Sequence, residues 1–411
     1  MNILFLTLHS INSLSDRGIY TDLLRKFQEE GNTIHIVCPN ERRFKQNTEF
    51  SINERLNLLK VKTLNIQKSS LIEKGLATLS IEYQYLFAIK KYFKTIKFDL
   101  LLYSTPPITF TKIIEFIKKR DGAYSYLLLK DIFPQNAVDM KMIKKNSIIH
   151  KCFLHKEKKL YQLSDKIGCL SEANLEYLKK HNSYLDFKKI EINPNTISPK
   201  FINYSSYEKE NIKSKYGIPI NKKIFIYGGN LGKPQGLDFL LETILLTKRS
   251  DVYFLIIGSG TEFTGIQKWF EKLQPENALL MASLPKNDYD KLLAACDVGL
   301  IFLSRNFTIP NYPSRLLSYL EMKMPVIAAT DPNTDIGMDI EKNKSGFAII
   351  SGDSRAMHNA INKLMDNISN FNEMKDNSWE FLNRDFHADR SFKLIMQSKN
   401  KRTNENYIEV N

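Results

Sequence analysis

Tyr227-Gly228-Gly229-Asn230-Leu231-Gly232-Lys233-Pro234-Gln235-Gly236 decides how this chain is read. It follows the apolar run Lys223–Tyr227 and leads into the amphipathic run Leu237–Leu246. Strand, glycine-rich turn and helix form the unit from which parallel sheets are built, and ligands of such sheets sit at the carboxyl ends of the strands. The four glycines permit close approach of a backbone to a ligand, and a helix start offers free N–H groups to an anion. Lys233 adds a point charge suited to a diphosphate. The spacing is neither a Walker loop nor G-x-G-x-x-G. A plain tight strand–helix turn also satisfies it.

The alternation continues outward. Leu255-Ile256-Ile257-Gly258-Ser259-Gly260-Thr261-Glu262 is a second strand ending in glycines. Val298–Phe302 and Val326–Ala329 read as strands flanking a helix at Pro313–Met322, and Asp353–Met365 as a further helix. Upstream, Asn2–Leu8, Thr33–Cys38, Leu100–Tyr103, Tyr124–Leu129 and Lys166–Leu170 read as strands. They alternate with helical runs at Tyr20–Glu30, Leu71–Ile96, Phe110–Arg120 and Ile148–Leu163. Such alternation implies parallel sheets with helices on both faces. The expected fold class is α/β, with two Rossmann-like doubly wound domains facing each other across a cleft. The first covers residues 1–195 and the second 206–370. The turn-rich Asn193-Pro194-Asn195 and Ser198-Pro199 mark a linker at about 193–206. A helical tail, 371–411, is expected to pack back towards the first domain and to fray from Thr403.

Length and charge agree with this division. The 411 residues exceed one ordinary core and suit two. Residues 1–200 carry 33 Lys and Arg against 20 Asp and Glu, so nearly all of the net +14 lies there. A basic face suggests an anionic partner, such as phospholipid, a phosphorylated lipid carrier or nucleic acid, although a generally lysine-rich composition also explains it. The stretch from Ile72 to Phe98 sets Lys90, Lys91, Lys94 and Lys97 beside aromatic residues. That suits a membrane interface or a core-facing helix with a solvated lysine edge. Met1–Leu8 is too short and lacks the basic leader of a signal peptide, and no run approaches a membrane span. Cys38, Cys152, Cys169 and Cys296 form no C-x-x-C pair and read as buried free thiols of a reducing cytoplasm.

Asn311-Tyr312-Pro313-Ser314-Arg315-Leu316-Leu317-Ser318-Tyr319-Leu320-Glu321 opens a helix, with Pro313 suited to its first turn. A cation at Arg315 opposes the helix dipole there and is easier to explain if it faces an anion.

Together these three segments resemble the donor-binding half of GT-B glycosyltransferases, specifically retaining family 4, and within it the capsule and O-antigen enzymes that include N-acetylfucosamine transferases. In the first half, Lys130-Asp131-Ile132-Phe133-Pro134-Gln135-Asn136-Ala137 resembles the Asp-x-(Phe/Trp)-Pro segment of that subgroup, and Arg17-Gly18-Ile19-Tyr20 matches in style.

The resemblance implies a UDP-sugar donor, with an N-acetylated deoxyhexosamine as the sugar, and an undecaprenyl-diphosphate-linked acceptor in capsule or O-antigen synthesis. It implies no cofactor and no metal, and a cytoplasmic enzyme attached peripherally to the inner face of the membrane. Donor contacts are expected from Gly229, Asn230, Lys233, Gly258, Ser259, Pro313, Ser314, Arg315, Ser318 and Glu321. Catalytic roles fall on Asp131 and Lys130, and the acceptor side on His9, Arg17 and Gly18. The family's Glu-x7-Glu signature falls here on Pro310 and Ser318, so Ser318, or Glu321 one turn deeper, stands in for the second glutamate. The family's His-Asp pair reads here as Lys130-Asp131.

Other candidates are weaker. His150, His155, His181, His358 and His387 read as surface residues. A UDP-sugar 2-epimerase of the same fold is the alternative function. A basic nucleic-acid-binding protein is a lesser one, since no helix-turn-helix, zinc or single-strand motif supports it.

Overall fold

A computed structural model describes residues 1–65 and 71–408. It divides into two compact units, residues 1–198 with 388–411 and residues 199–387.

In the first unit the chain runs through β1 (Asn2–Leu6), α1 (Ile19–Glu29), β2 (Thr33–Glu41), β3 (Glu49–Asn53), β4 (Leu56–Thr63), α2 (Leu71–Tyr92), β5 (Leu100–Ser104) and α3 (Thr111–Asp121). It continues through β6 (Tyr124–Leu129), α4 (Gln135–Asp139), α5 (Ile148–Leu163), β7 (Lys166–Cys169), α6 (Glu172–His181) and β8 (Ile190–Ile192). The sheet order is β3-β4-β2-β1-β5-β6-β7-β8, parallel except for the β3–β4 hairpin. Ile3, Leu4, Phe5 and Leu6 are buried on both faces, as a central parallel strand covered by helices requires. Gly122 ends α3 in the left-handed conformation at φ 70°. Ser147 starts α5 by accepting the His150 N–H, and Ser171 starts α6 by accepting the Asn174 N–H.

The second unit comprises α7 (Ser206–Lys215), β9 (Lys223–Asn230), α8 (Leu237–Leu246), β10 (Val252–Ser259), α9 (Phe263–Leu273), β11 (Ala278–Ala282) and α10 (Lys286–Ala294). Next come β12 (Val298–Phe302), α11 (Arg315–Glu321), β13 (Val326–Thr330), α12 (Ile336–Lys342), β14 (Gly346–Ile350), α13 (Ser354–Asp366) and α14 (Ile368–Asp385). Its sheet, β11-β10-β9-β12-β13-β14, is parallel throughout. The last helix, α15 (Ala388–Ile408), belongs to the first unit. Phe392 stacks edge-on against Phe27 at 4.8 Å, Ile395 is buried in the first core, and Ser398 donates to Glu191.

Several expectations need correction. The tail does not change units at residue 371: α14 stays with the second unit, and only residues from Ala388 join the first. The segment at 193–197 is no exposed linker, because Asn193, Asn195, Thr196 and Ile197 are buried. The chain leaves the first unit at Ser198. Helix α15 continues through Thr403 to Ile408, and residues 409–411 lie outside those described. His150 is buried, its Nδ1 accepting the Asn146 N–H, and Cys152 is exposed while the other three thiols are buried.

Candidate functional site

In the second unit the chain winds outward in opposite directions from β9 and β12, neighbours at the centre of the sheet. Their carboxyl ends are the switch point where open α/β sheets bind ligands. There β9 and β10 end in glycines that pair in register, Gly229 with Gly258. A Cβ on Gly258 would stand 1.9 Å from the Gly229 carbonyl oxygen, so glycine is required there. Gly229 itself lies at φ +125°, which other residues rarely adopt. Asn230 and Ser259 follow these glycines and are exposed, and so is Lys233, in the single turn Lys233–Gln235.

Arg315 is the first residue of α11, and its side chain returns to this turn. Its Nη2 donates to Gln235 Oε1 at 2.9 Å, and the guanidinium carbon lies 4.4 Å from the centre of the Tyr227 ring. The Tyr227 hydroxyl donates to the Asn230 carbonyl at 2.7 Å and to Gln235 at 3.3 Å. Behind it, Tyr319 accepts the Gly228 N–H and donates to the Leu300 carbonyl, both at 3.1 Å. Arg315 Nη1 is buried with no hydrogen-bond partner. No carboxylate pairs with Arg315 among the described residues. A guanidinium keeps its charge when buried, and a donor of it left without a partner is suited to an anion.

The rest of this helix differs from expectation. It has seven residues and begins at Arg315, so Pro313 precedes the cap rather than sitting in the first turn. Ser314 is the cap residue but makes no side-chain cap bond. The Asn311 N–H is held by Thr334 Oγ1 at 3.0 Å. Ser318 lies one turn below Arg315, partly exposed. Glu321 is buried, and it accepts the Lys200 N–H at 2.7 Å.

In the first unit the corresponding switch point lies between β1 and β5. Lys130 and Asp131 follow β6, next to β5. Thr105, just beyond β5, accepts the Lys130 N–H at 3.1 Å and the Asp131 N–H at 3.3 Å, and its hydroxyl donates to the Asp131 carbonyl at 3.0 Å. Asn136 donates its side-chain amide to the Asp131 carboxylate. Burial pushes Asp131 up to about 6 and Lys130 down to about 7. The two form no ion pair with each other. His9 follows β1, exposed, its N–H on Thr7 Oγ1 at 3.0 Å and its ring 6.2 Å from Tyr20. Gly18 caps α1 in an extended conformation, and Arg17 beside it is half-buried.

Sequence reading missed Gln235, Tyr227 and Tyr319, which hold Arg315 and the glycine turn, and Thr105 and Asn136, which hold Asp131. Four of them, Tyr227, Gln235, Tyr319 and Asn136, lie in the quoted motifs and were legible there as polar side chains; Thr105 carries no local signal. Asn193 and Asn195 close β8 with buried Oδ1 atoms that lack a partner, and only the Asn-Pro-Asn turn hinted at them. No group of three or more His, Cys, Asp or Glu could hold a metal ion among the described residues.

Each unit is a doubly wound α/β domain, and two such domains in one chain are the layout of the GT-B architecture. Residues 208–380, most of the second unit, match the family Glycosyl transferases group 1. The chain is 24% identical over 308 residues to "Probable glycosyltransferase WbjE" of Pseudomonas aeruginosa, covering 72% of this chain and 73% of that one. Its fold is similar to sucrose-phosphate synthase from Thermosynechococcus elongatus, with TM-score 0.76, 12% identity, and 98% and 99% of the two chains covered. It is also similar to HepE of Anabaena in complex with UDP, with TM-score 0.70, 13% identity, and 98% and 100% covered.

Proposed function

We propose that this glycosyltransferase takes its sugar from a uridine diphosphate donor, with an N-acetylated deoxyhexosamine as the sugar, and passes it to a lipid-linked saccharide of a capsule or O-antigen at the inner face of the membrane. The observation that carries the donor side is the unpartnered Nη1 of Arg315 beside the Gly229–Gly258 turn. The structure of HepE of Anabaena, similar in fold, is a complex with UDP, which supports the same base. The sugar, the acceptor and retention of the anomeric configuration rest on the family resemblance of the quoted segments.

On this reading the departing diphosphate meets Arg315 and Lys233, positive charge fixed before the reaction and needing no reorganisation. Gln235 and Tyr227 position the guanidinium. Ser318 takes a hydroxyl of the donor sugar. In the first unit Asp131 orients the acceptor or stabilises positive charge on the sugar, and Lys130, poised near neutrality, can hold or give a proton. A 2-epimerase is not favoured: it needs carboxylates and histidines grouped at the nucleotide site, whereas Arg315 is surrounded by glycines, tyrosines and a glutamine.

Thermal unfolding against UDP-, GDP- and dTDP-sugars tests the reading, because a ligand that binds only the folded state raises apparent stability. Selective stabilisation by UDP-sugars, with UDP released in the presence of acceptor, is the expected result. Equal or greater stabilisation by GDP-sugars would remove the uridine assignment.

A further inference from the structure

We infer that the carboxyl edge of β6, β7 and β8 holds a subsite for a neutral, polyhydroxylated ligand, a saccharide ring, met by Asn195, Asn193 and Lys130. The inference deepens the acceptor side of the function proposed above and rests on it only for calling that sugar the acceptor. The class of ligand follows from the donor and acceptor atoms at this edge.

The register brings these residues together. Leu129 of β6 pairs with Cys169 of β7, and Cys169 with Ile192 of β8. Lys130 and Asn193 are therefore each one residue beyond the last pair of their strands, two strands or about 10 Å apart. The Asn193 N–H donates to the Cys169 carbonyl at 2.7 Å, and Asn195 follows across Pro194.

Asn193 cannot turn its amide round. The Tyr126 hydroxyl donates to Glu191 Oε1 at 2.8 Å, so its oxygen is left to accept, and it takes the Asn193 Nδ2 at 3.0 Å. Glu191 is in turn held by Lys166 at 3.2 Å and by Ser398. Gly168 makes room for this arrangement: a Cβ there would stand 2.7 Å from the Tyr126 oxygen and 2.8 Å from the Asn193 Cβ. The amide oxygen of Asn193 is thus turned from Tyr126, buried and without a hydrogen-bond partner. Asn195 Oδ1 is also buried without a partner, in a side chain that makes no hydrogen bond among the described residues and keeps 5% of its surface open. Asn136, bonded to Asp131 beside Lys130, carries a third such oxygen. Buried polar groups are nearly always paired, so three unpaired amide oxygens at one edge mark a place where donors arrive from outside the chain.

Those donors are hydroxyls rather than a phosphate or an amine. Amide oxygens accept and do not donate, so they repel an anion. Lys130, without an ion pair among the described residues, repels an ammonium, although burial holds it down to about 7. A ring of hydroxyls gives protons to the amide oxygens and accepts one from Lys130 with the same groups.

The test is a titration of the full chain, followed by saturation-transfer NMR, with the methyl glycosides of glucose, galactose and N-acetylglucosamine. Glycerol and inorganic diphosphate serve as comparisons, and each series is run with and without UDP. At least one glycoside should bind roughly tenfold or more tightly than glycerol, and diphosphate should not displace it. Asn195→Leu and Lys130→Met should each weaken that glycoside roughly tenfold, as the loss of a buried hydrogen bond requires. Leucine keeps much of the shape of asparagine and removes the unpaired oxygen, so Asn195→Leu should melt no lower than the parent. Glu172→Gln, exposed at the same edge, should change nothing. UDP titration reports the donor separately: a chain that binds a glycoside but not UDP loses its donor assignment and keeps this subsite. The inference falls if no glycoside binds better than glycerol, if diphosphate displaces the glycoside, or if neither variant weakens it. A lower melting temperature of Asn195→Leu would assign the amide to the fold and overturn it as well.

Discussion

Replacing Arg315 by methionine should move stability and donor binding in opposite directions. The guanidinium is buried, gains one hydrogen bond from Gln235 and the face of Tyr227, and leaves Nη1 unmet. An unsatisfied buried donor costs about 1–3 kcal/mol, and a cation over a tyrosine returns about 0.5–2 kcal/mol. With no carboxylate paired to it, the free protein gains little from the charge. A methionine of similar length removes the unmet donor while filling much of the same space. The melting temperature of the free protein should therefore stay level or rise by a few degrees, at about 2–4 °C per kcal/mol for a unit of this size. Against the diphosphate the sign reverses. A charge-assisted hydrogen bond is worth about 1.5–3 kcal/mol, which is roughly tenfold to a hundredfold in Kd and in kcat/KM. Calorimetric titration with UDP and a melt without ligand measure both halves on one preparation. A variant that melts lower and binds UDP as tightly as the parent would show that Arg315 holds the fold and that the anion pocket has been placed wrongly.

Asp131 is raised from 3.8 to about 6 by burial, so its protonated form fits the folded chain and stability falls as pH rises from about 4 through 6; Asp131→Asn should flatten that part of the pH–stability profile. Gly258→Ala drives a methyl group against the Gly229 carbonyl and should lower stability by roughly 1–3 kcal/mol with loss of donor binding. Gly265→Ala, in open space on α9, should raise stability by roughly 0.4–1 kcal/mol, and the reverse order in urea melts would refute the argument. Glu321→Gln should lower the melting temperature and leave the donor KM unchanged, because its carboxylate serves the Lys200 N–H; Ser318→Ala should raise the donor KM at constant stability, and kinetics showing the opposite pattern would return Glu321 to the donor site.

What was legible in the sequence was whatever a local pattern encodes. The apolar runs of β1, β6, β9 and β12 are buried on both faces, and continuous hydrophobicity of strand length marks such strands. The hairpin strand β3, Glu49–Asn53, was missed because it lies at the sheet edge with its side chains largely exposed, and β8 because it has three residues. At the site, Arg315 could be picked out because a cation at a helix start is locally unfavourable. Its partner Gln235 lies 80 positions away, and no periodicity links them. The contact of Glu321 is equally remote in sequence: the backbone N–H it accepts belongs to Lys200, 121 positions earlier. Thr105 and Asp131 likewise meet only because β5 and β6 are neighbours in the sheet.

The return of α15 sets an order on biosynthesis. The core of the first unit contains Ile395, with Phe392 and Met396 against it, and Ala388 donates its N–H to Ile197 at 2.8 Å. The ribosome must therefore deliver all of residues 199–387, an entire second sheet with its helices, before the first can be sealed. During that interval Phe27 and the apolar face of α1 wait uncovered, so the half made first is the half completed last. A nascent chain stalled before Ala388 would carry a finished second unit beside an open first one, which exposes the incomplete product to chaperones and proteases.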